Sequence, residues 1–491
     1  MRDSPPRDEA SAQTLEGSSA STRARADAIA SRERILDAAA VLFADRRASM
    51  TQVAASASVG RSTLYRHFPG REALAAALAE RRAQVADDEP EPRPKGRAGR
   101  LAQRPPRRLG RLAALPLEVT HVLDEVPPHL IADQLVAEAR RAAGSAVALY
   151  VVDIDGSALV RLAGSDDFPA RLHAPPALGP EIVPEGLASF EARLARELPR
   201  CTVAPLWLRG RVLGLLLCVG TPLMPLDDIA KQGAAALELA DGYTDLIEAA
   251  RRRKPTTAAA EVQHHLLPPR IARVTGAQIA GGLLPTYEVG GDWFDLVENL
   301  DGAWLAIAEA PGSGPTAAGF SAAVLGALRA ARRIGRDLVG AVRTMDEVVR
   351  QLGNPAFEVT AVVARWHAPS STLESIRCGR LAAWVVAADG RISELEAPEH
   401  PPLGSGSAAP PFEASRRRMD RGERLVLTTD GVTGRAAAGG RTLGTKGLRD
   451  AIAAADAPTA AGTAMAIQRA VATSSDEPME ADATFVVLAV D

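Results

Sequence analysis

The sequence predicts a multidomain chain: an all-α head, an α/β middle region and an α+β C-terminal region. Three observations carry this. Apolar residues recur at helical spacing from Ile35 onward. Strand-like and helical runs alternate between about 115 and 254, and the remainder mixes both before ending in the β-rich run Ala483 to Val490. A length of 491 residues suits about three domains, and a hydrophobic content of 46% is enough for packed cores.

Residues 1–24 mix Ser, Pro, Asp, Glu and Arg without periodicity, which predicts disorder. A helical head occupies 25–86. Residues 87–113, acidic first and then strongly basic with repeated Pro, read as an exposed linker. The middle region spans 114–254 and the C-terminal region 259–491. The longest apolar runs, such as Val212 to Val219, are far short of a membrane span, and the N-terminus lacks the apolar core of a secretory signal. A cytoplasmic protein without a membrane segment is expected. Cys201, Cys218 and Cys378 are scattered and odd in number, which argues against a disulfide framework or a zinc site.

The net charge of −3 excludes a chain that coats nucleic acid along its whole length. The head differs, with 11 arginines against 6 acids between Arg23 and Gln84, as a dedicated DNA-binding module requires. In its first helix Ile35, Ala38, Ala39, Leu42 and Phe43 share one buried face. Thr51 is placed to N-cap a second helix running through Ala57. Val59-Gly60 turns the chain into a third helix, Arg61 to Phe68, which Pro69-Gly70 stops, and a fourth begins near Arg71. Two short helices about a glycine turn make a helix-turn-helix.

The stretch ILDAAAVLF followed by TQVAASASVGRSTLYRHFPGREAL resembles the TetR family over about 50 residues. The resemblance implies that the helix Arg61 to His67 enters the major groove of double-stranded DNA. Arg61, Ser62 and Thr63 would lie near base edges, Tyr65 and His67 would contact phosphates, and Thr51 and Arg66 belong to the same surface. Leu64 and Phe68 are assigned to the core. A departure is Arg46-Arg47-Ala48, where the family often turns on glycine. Such heads bind pseudo-palindromes as two-fold dimers, so a homodimer is expected. The family's usual all-helical ligand domain is replaced here by strands, which implies a different input.

In the middle region, AVALYVVD (146–153) and Ala158 to Ala163 read as strands, and Thr202 to Val219 as a hairpin turning at Arg209-Gly210. A helix from Leu226 to Arg253 follows, striped by Ile229, Ala236, Leu237, Ala240, Leu246 and Ile247 and broken by Pro255 to Thr257. Pattern and order resemble a GAF sensory domain, with a PAS-like domain as the alternative. A sensor for a small molecule and a packing or dimerisation module without a ligand are both compatible with it.

The C-terminal region strings together EVQHHLLPP (261–269), YEVGGDWFDL (287–296), LAIAEAPGSGPTAA (305–318), FEVTAVVARW (357–366), PPLG (401–404), LVLTTDGVTG (425–434) and DATFVVLAV (482–490). In that order they resemble the PPM phosphatase fold in its SpoIIE-like branch. The resemblance implies two packed β-sheets flanked by helices and two Mg or Mn ions held by aspartates. A bridging water would attack a phosphoserine or phosphothreonine, with no catalytic side chain beyond the metal-bound water. Asp292 matches the first acidic position and Asp430 the third. The second carries Glu309 in place of aspartate. At the fourth, the expected aspartate is Ala481, and Asp482 would need a one-residue shift, which in a strand turns the side chain to the other face. Asp295 and Glu288 are either local supports or structural groups.

The composite reading is a DNA-binding transcriptional regulator with a GAF-like sensor and a PPM-fold domain whose metal site is degenerate. The alternative is an active serine/threonine phosphatase acting on regulatory phosphoproteins of the anti-sigma-antagonist type. A scaffold that only binds such phosphoproteins is compatible with the first.

Overall fold

The computed structural model describes residues 32, 34–36, 38–39, 50–57, 59–70, 73–74, 77, 125–286, 289–352, 357–406, 411–437 and 440–491. The predicted disorder over 1–24, the linker over 87–113, the Arg46-Arg47-Ala48 departure, Leu42, Phe43 and Glu288 lie outside the described residues. The chain divides into two compact units, 1–113 and 114–491.

In the first unit, α1 (Met50–Ser56) and α2 (Arg61–His67) are joined through Val59 and Gly60. Ile35, Leu36, Ala38, Ala39, Val53, Ala54, Leu64, Phe68 and Leu74 form its buried core. Leu64 and Phe68 are thus core residues, as the sequence predicts, and Phe68 leaves helical geometry at φ −138° while its N–H still bonds the Leu64 carbonyl. Thr51 is not the N-cap expected of it. Met50 is already helical, so Thr51 falls inside the first turn, exposed on its surface.

The second unit starts with α3 (Ile131–Ala143), which Gly144 ends in the left-handed conformation at φ 67°. A seven-stranded sheet follows: β1 (Val147–Val152), β2 (Ala158–Gly164), β3 (Arg171–His173), β4 (Ala177–Leu178), β5 (Glu181–Ile182), β6 (Cys201–Leu208) and β7 (Arg211–Val219), with α4 (Leu187–Glu197) inserted before β6. The order is β3-β2-β1-β7-β5-β4, and β6 also pairs with β7. Every residue of β1 is buried because both faces are covered, by α3 and α5 on one side and by α4 with the β2–β5 segment on the other. That is why AVALYVVD is a continuous apolar run and not an alternating one. The β6–β7 hairpin turns at Arg209 (φ 49°) and Gly210 (φ 88°), the paired positive φ that a tight turn between right-twisted strands demands.

The single helix expected from Leu226 to Arg253 is two helices, α5 (Asp227–Asp241) and α6 (Leu246–Arg251). Gly242 interrupts the stripe, Tyr243 is exposed, and Leu246, counted as apolar face, is exposed as well. Ala236, Leu237, Ala240 and Ile247 are buried as expected.

After α7 (Ala258–Leu266), β8 (Ile271–Val274), β9 (Ala277–Leu284), β10 (Trp293–Asn299) and β11 (Gly302–Glu309) lead into α8 (Gly314–Arg333) and α9 (Leu338–Gln351). Then come β12 (Thr360–His367), β13 (Thr372–Cys378), β14 (Ala382–Val386), β15 (Ile392–Glu394), β16 (Glu399–His400), β17 (Ser415–Arg418) and β18 (Arg424–Thr428). The one-turn helix α10 (Asp430–Thr433), the ribbon β19 (Ala436–Ala437) and β20 (Arg441–Thr442), α11 (Gly444–Ala453), α12 (Ala460–Thr473) and β21 (Ala483–Val490) complete the chain. One sheet runs β10-β11-β12-β13-β16 with β17 on β13, and the other β15-β14-β18-β21-β9-β8.

The period-two alternation of strands builds four layers from these elements. Phe294, Leu305, Val362, Leu427 and Val486 meet between the sheets. Their chain neighbours Trp293, Trp304 and Val363 face α8 and α9, while Val426, Phe485 and Val487 face α11 and α12. Gly281 and Gly282 make room for this, since a Cβ there would meet the rings of Phe294 and Phe485 at 2.6 and 2.4 Å. The expected pair of packed sheets flanked by helices is present.

The two halves of this unit are joined through Glu181. Its carboxylate is 3% exposed, accepts the backbone N–H groups of Arg270 (3.0 Å) and Ile271 (2.9 Å), and pairs with Arg211 at 2.8 Å. The Arg273 N–H donates to the Arg209 carbonyl, Gln468 donates to the Ala177 carbonyl, and Leu178 and Val183 enter the core beneath α12. Glu181→Ala would leave the buried Arg211 and two N–H groups short of an acceptor. The expected loss is about 3–5 kcal/mol of stability, read from denaturant unfolding of the full chain.

Candidate functional site

Helix α2 presents Ser62 and Tyr65 to solvent, with Thr63 and His67 half-buried. Tyr65 is 49% exposed. The backbone places Arg61 at the helix start and Arg66 one turn later; their side chains are outside the described residues.

In the second unit, β10, β11, α10 and the entry to β21 bring acidic residues to one end of the two sheets. Asp292 precedes β10, Glu309 ends β11, Asp430 opens α10 and Asp482 precedes β21. A cleft of about 380 Å³ is lined by Asp292, Glu309, Asp482 and Glu480, with Gly290, Gly291 and Ser313 among its backbone walls. Asp430 does not line this cleft and is exposed, yet its charge bears on Glu309. Asp482 does not turn away as strand alternation would require. It lies one residue before β21 begins at Ala483, so the rule does not apply to it. Ala481, at the expected ligand position, also lines the cleft.

The cleft is shaped by backbone clearance. Ser321 Oγ donates to the Gly291 carbonyl at 2.6 Å, closing the Gly290-Gly291 turn against α8. A Cβ at Gly290 would meet Asp482 Oδ2 at 2.7 Å, one at Gly291 the Ala310 carbonyl oxygen at 2.2 Å, and one at Gly431 the Asp482 carbonyl oxygen at 2.0 Å. These glycines let three chain segments pass at backbone contact distance.

The hydrogen bonds define the acidic groups. Asp482 Oδ1 accepts from the Thr286 N–H (2.8 Å) and hydroxyl (3.1 Å), and Oδ2 from the Gly290 N–H (3.0 Å) and Gln263 Nε2 (2.9 Å). Gln263, on α7, also donates to the Asp292 carbonyl at 3.2 Å. Asp292 Oδ2 accepts the Thr429 and Thr484 hydroxyls, both at 2.8 Å. Burial pushes the Asp292 carboxyl well above the usual carboxylate range. The charges of Glu309 and Asp482 act in the same direction, against the two threonine hydroxyls. Glu309 is pushed up to about 7, by burial first and then by Asp430. Asp295 is a structural group. It is buried and held by Arg329 (2.8 Å) and Arg332 (2.9 Å) on α8.

A pair of divalent ions implied by the resemblance would need several free carboxylate oxygens converging on each ion. This donor set does not fit as it stands. Both oxygens of Asp482 are taken by protein donors, one oxygen of Asp292 is taken by two hydroxyls, and among the described residues no group of three or more His, Cys, Asp or Glu is placed to hold a metal. Residue-by-residue reasoning from the sequence missed Gln263, Thr286, Thr429 and Thr484. Three of them stand in quoted motifs, EVQHHLLPP, LVLTTDGVTG and DATFVVLAV, but their role depends on contacts between distant segments.

Family descriptions match two parts of the chain: "Bacterial regulatory proteins, tetR family" over residues 35–78 and "Stage II sporulation protein E (SpoIIE)" over 300–491. No curated protein matches the chain. Among solved structures, the SiaA-PP2C domain of Pseudomonas aeruginosa is similar at 19% identity and a TM-score of 0.39, covering 43% of this chain and 86% of that one. The RsbU and RsbW domains of a Mycobacterium tuberculosis protein are similar at 25% identity and a TM-score of 0.39, covering 44% and 61%. The PP2C domain with a regulatory fragment of SpoIIE from Bacillus subtilis is similar at 12% identity and a TM-score of 0.38, covering 62% and 74%. No helix among the described residues is long and apolar enough to cross a membrane.

A carboxyl whose folded pKa lies above its unfolded one holds its proton more tightly in the fold. The stability it contributes is present below the ordinary glutamate range and is lost as pH rises through about 7. In chelator-containing buffer, unfolding free energy is therefore expected to fall across that window, with Asp292 adding the same sign. Glu309→Gln should flatten the fall, as measured by denaturant titrations at stepped pH.

Proposed function

We propose that this chain, with its TetR-type head and SpoIIE-type C-terminal domain, is a DNA-binding transcriptional regulator whose phosphatase fold has given up metal-dependent catalysis for a regulatory role. The observation that carries the reading is the four-fold hydrogen bonding of Asp482, which neutralises in protein donors the carboxylate best placed to replace the missing ligand at Ala481. Glu309 in place of aspartate supports it, being longer by one methylene and pushed up to about 7. Binding a divalent ion there would first require breaking several bonds to a buried carboxylate.

In this reading 25–86 is the DNA-binding head, 87–113 the linker, 114–254 a GAF-like sensor for a small molecule and 259–491 the PPM-type domain. The head works as a homodimer on a two-fold site in the cytoplasm. The C-terminal domain binds a regulatory phosphoprotein of the anti-sigma-antagonist type without turnover. Arg61, Ser62 and Thr63 read bases, while Tyr65 and His67 hold phosphates, with Thr51 and Arg66 on the same surface.

The second reading, an active phosphatase with Glu309 and Asp482 as substitute ligands for Mg or Mn, is favoured by one observation. Asp292, Glu309 and Asp482 do line one cleft.

Two measurements separate the readings. Calorimetry of the full chain with Mn²⁺, beside hydrolysis of a chromogenic phosphate ester, is expected to give neither a two-ion isotherm nor turnover. Two bound ions and a hydrolysis lost in both Asp292→Ala and Asp430→Ala would establish the enzyme. For the head, Thr63→Ala is expected to cost about 1–3 kcal/mol at the selected operator and to relax its sequence preference. Tyr65→Phe should instead weaken binding to all sequences alike, as read by DNA titration at fixed salt.

A further inference from the structure

A second cavity, apart from the acidic cleft, lies where the seven-stranded sheet meets the C-terminal sheets. It measures about 210 Å³, and Glu181, Arg211, Asp241, Glu248, Arg251 and Arg270 are among its walls. Most of these charges are matched. Arg211 bridges Glu181 and Glu238, Arg251 Nη1 lies 2.9 Å from Glu248 and 3.4 Å from Asp241, and Arg252 and His264 complete the surroundings of Glu248.

Arg270 is different. The residue is 9% exposed, and its backbone N–H is used by Glu181. Among the described residues its guanidinium makes no ion pair, and Nη1 is buried without an acceptor. The Phe294 ring lies under it at 5.3 Å, which favours a cation but gives Nη1 no lone pair. Burial draws its pKa down to about 10, against the opposing charge of Glu181. On the same wall, Asp241 Oδ1 and Arg251 Nε are also buried without partners. A guanidinium withdrawn from water and left unpaired is among the costliest groups in a fold, unless an anion meets it.

We propose that this junction cavity binds a small monocarboxylate bearing a hydroxyl or amino group, with its carboxylate on Arg270. The size argues for a molecule of a few carbons, since drug-sized sites run to roughly 300–1,000 Å³. The charge argues for a single negative charge. Glu181, Glu238, Asp241 and Glu248 surround the same space and would repel a dianionic phosphate, whereas one carboxylate answers one guanidinium. The hydroxyl or amino group answers the open Asp241 Oδ1. The inference rests on the junction alone and is independent of whether the acidic cleft is catalytic.

Equilibrium dialysis of the full chain against lactate, alanine, acetate and inorganic phosphate tests it. Lactate or alanine is expected to bind below about 1 mM, more tightly than acetate, with phosphate inert. Arg270→Gln, folded by circular dichroism, is expected to weaken binding at least about tenfold through loss of the charged pair. No carboxylate bound at about 10 mM, equal binding by Arg270→Gln, or binding of phosphate in place of carboxylates would each overturn the proposal. Should Arg270→Gln fail to fold, the native chain decides. A Tm raised by lactate or alanine but not by phosphate supports the site, and an unchanged Tm overturns it.

Discussion

A carboxylate taken out of water must be answered by a cation or by hydrogen-bond donors, and the geometry around Asp482 is the answer this fold has reached. Its four donors come from α7, from the segment after β9 and from the glycine turn before β10, while the residue itself leads into the central strand β21. Segments more than 190 positions apart in sequence are thereby tied at one point. The two threonines on Asp292 repeat the arrangement a few residues away, and both threonines also bond each other's backbone or hydroxyl across β18 and β21. At the acidic end of the two sheets the carboxylates of Asp482 and Asp292 are therefore structural elements as well.

The junction of the seven-stranded sheet with the C-terminal sheets follows the same principle with a different balance. Glu181 is satisfied by backbone and by Arg211, so the two halves behave as one compact unit and not as beads on a string. Arg270 supplies its N–H to that carboxylate, while its guanidinium lies over the Phe294 ring and lines the same cavity as Glu181. The same residue thus closes the interface through its backbone and leaves an unanswered charge beside it.

Local signals in the sequence were sufficient wherever local chemistry decides the structure. Arg209-Gly210 marked a turn because positive φ is needed there, Pro69-Gly70 marked the end of the reading helix, and the apolar run before the last residue was a buried strand. They failed where a single residue competes with a longer pattern. Gly242 breaks a stripe that is otherwise continuous in period, and Thr51 sits one residue too late to cap a helix that has already begun at Met50. At the site, Asp292, Glu309 and Asp482 were legible as acids that converge. What holds them was not, because Gln263 and Thr286 act on a partner some 200 residues away and leave no periodicity behind. Strand alternation does not govern Asp482, which lies one residue outside β21.

The glycines of VGGD and TTDG bear on how such domains are recognised at all. At Gly290, Gly291 and Gly431 a methyl group would collide with Asp482 or with the Ala310 carbonyl, so these positions are fixed by the passage of one backbone past another. The packing of the two sheets would by itself hold those letters in place, with or without turnover. A glycine signature of this kind is accordingly a record of architecture, and does not by itself establish turnover.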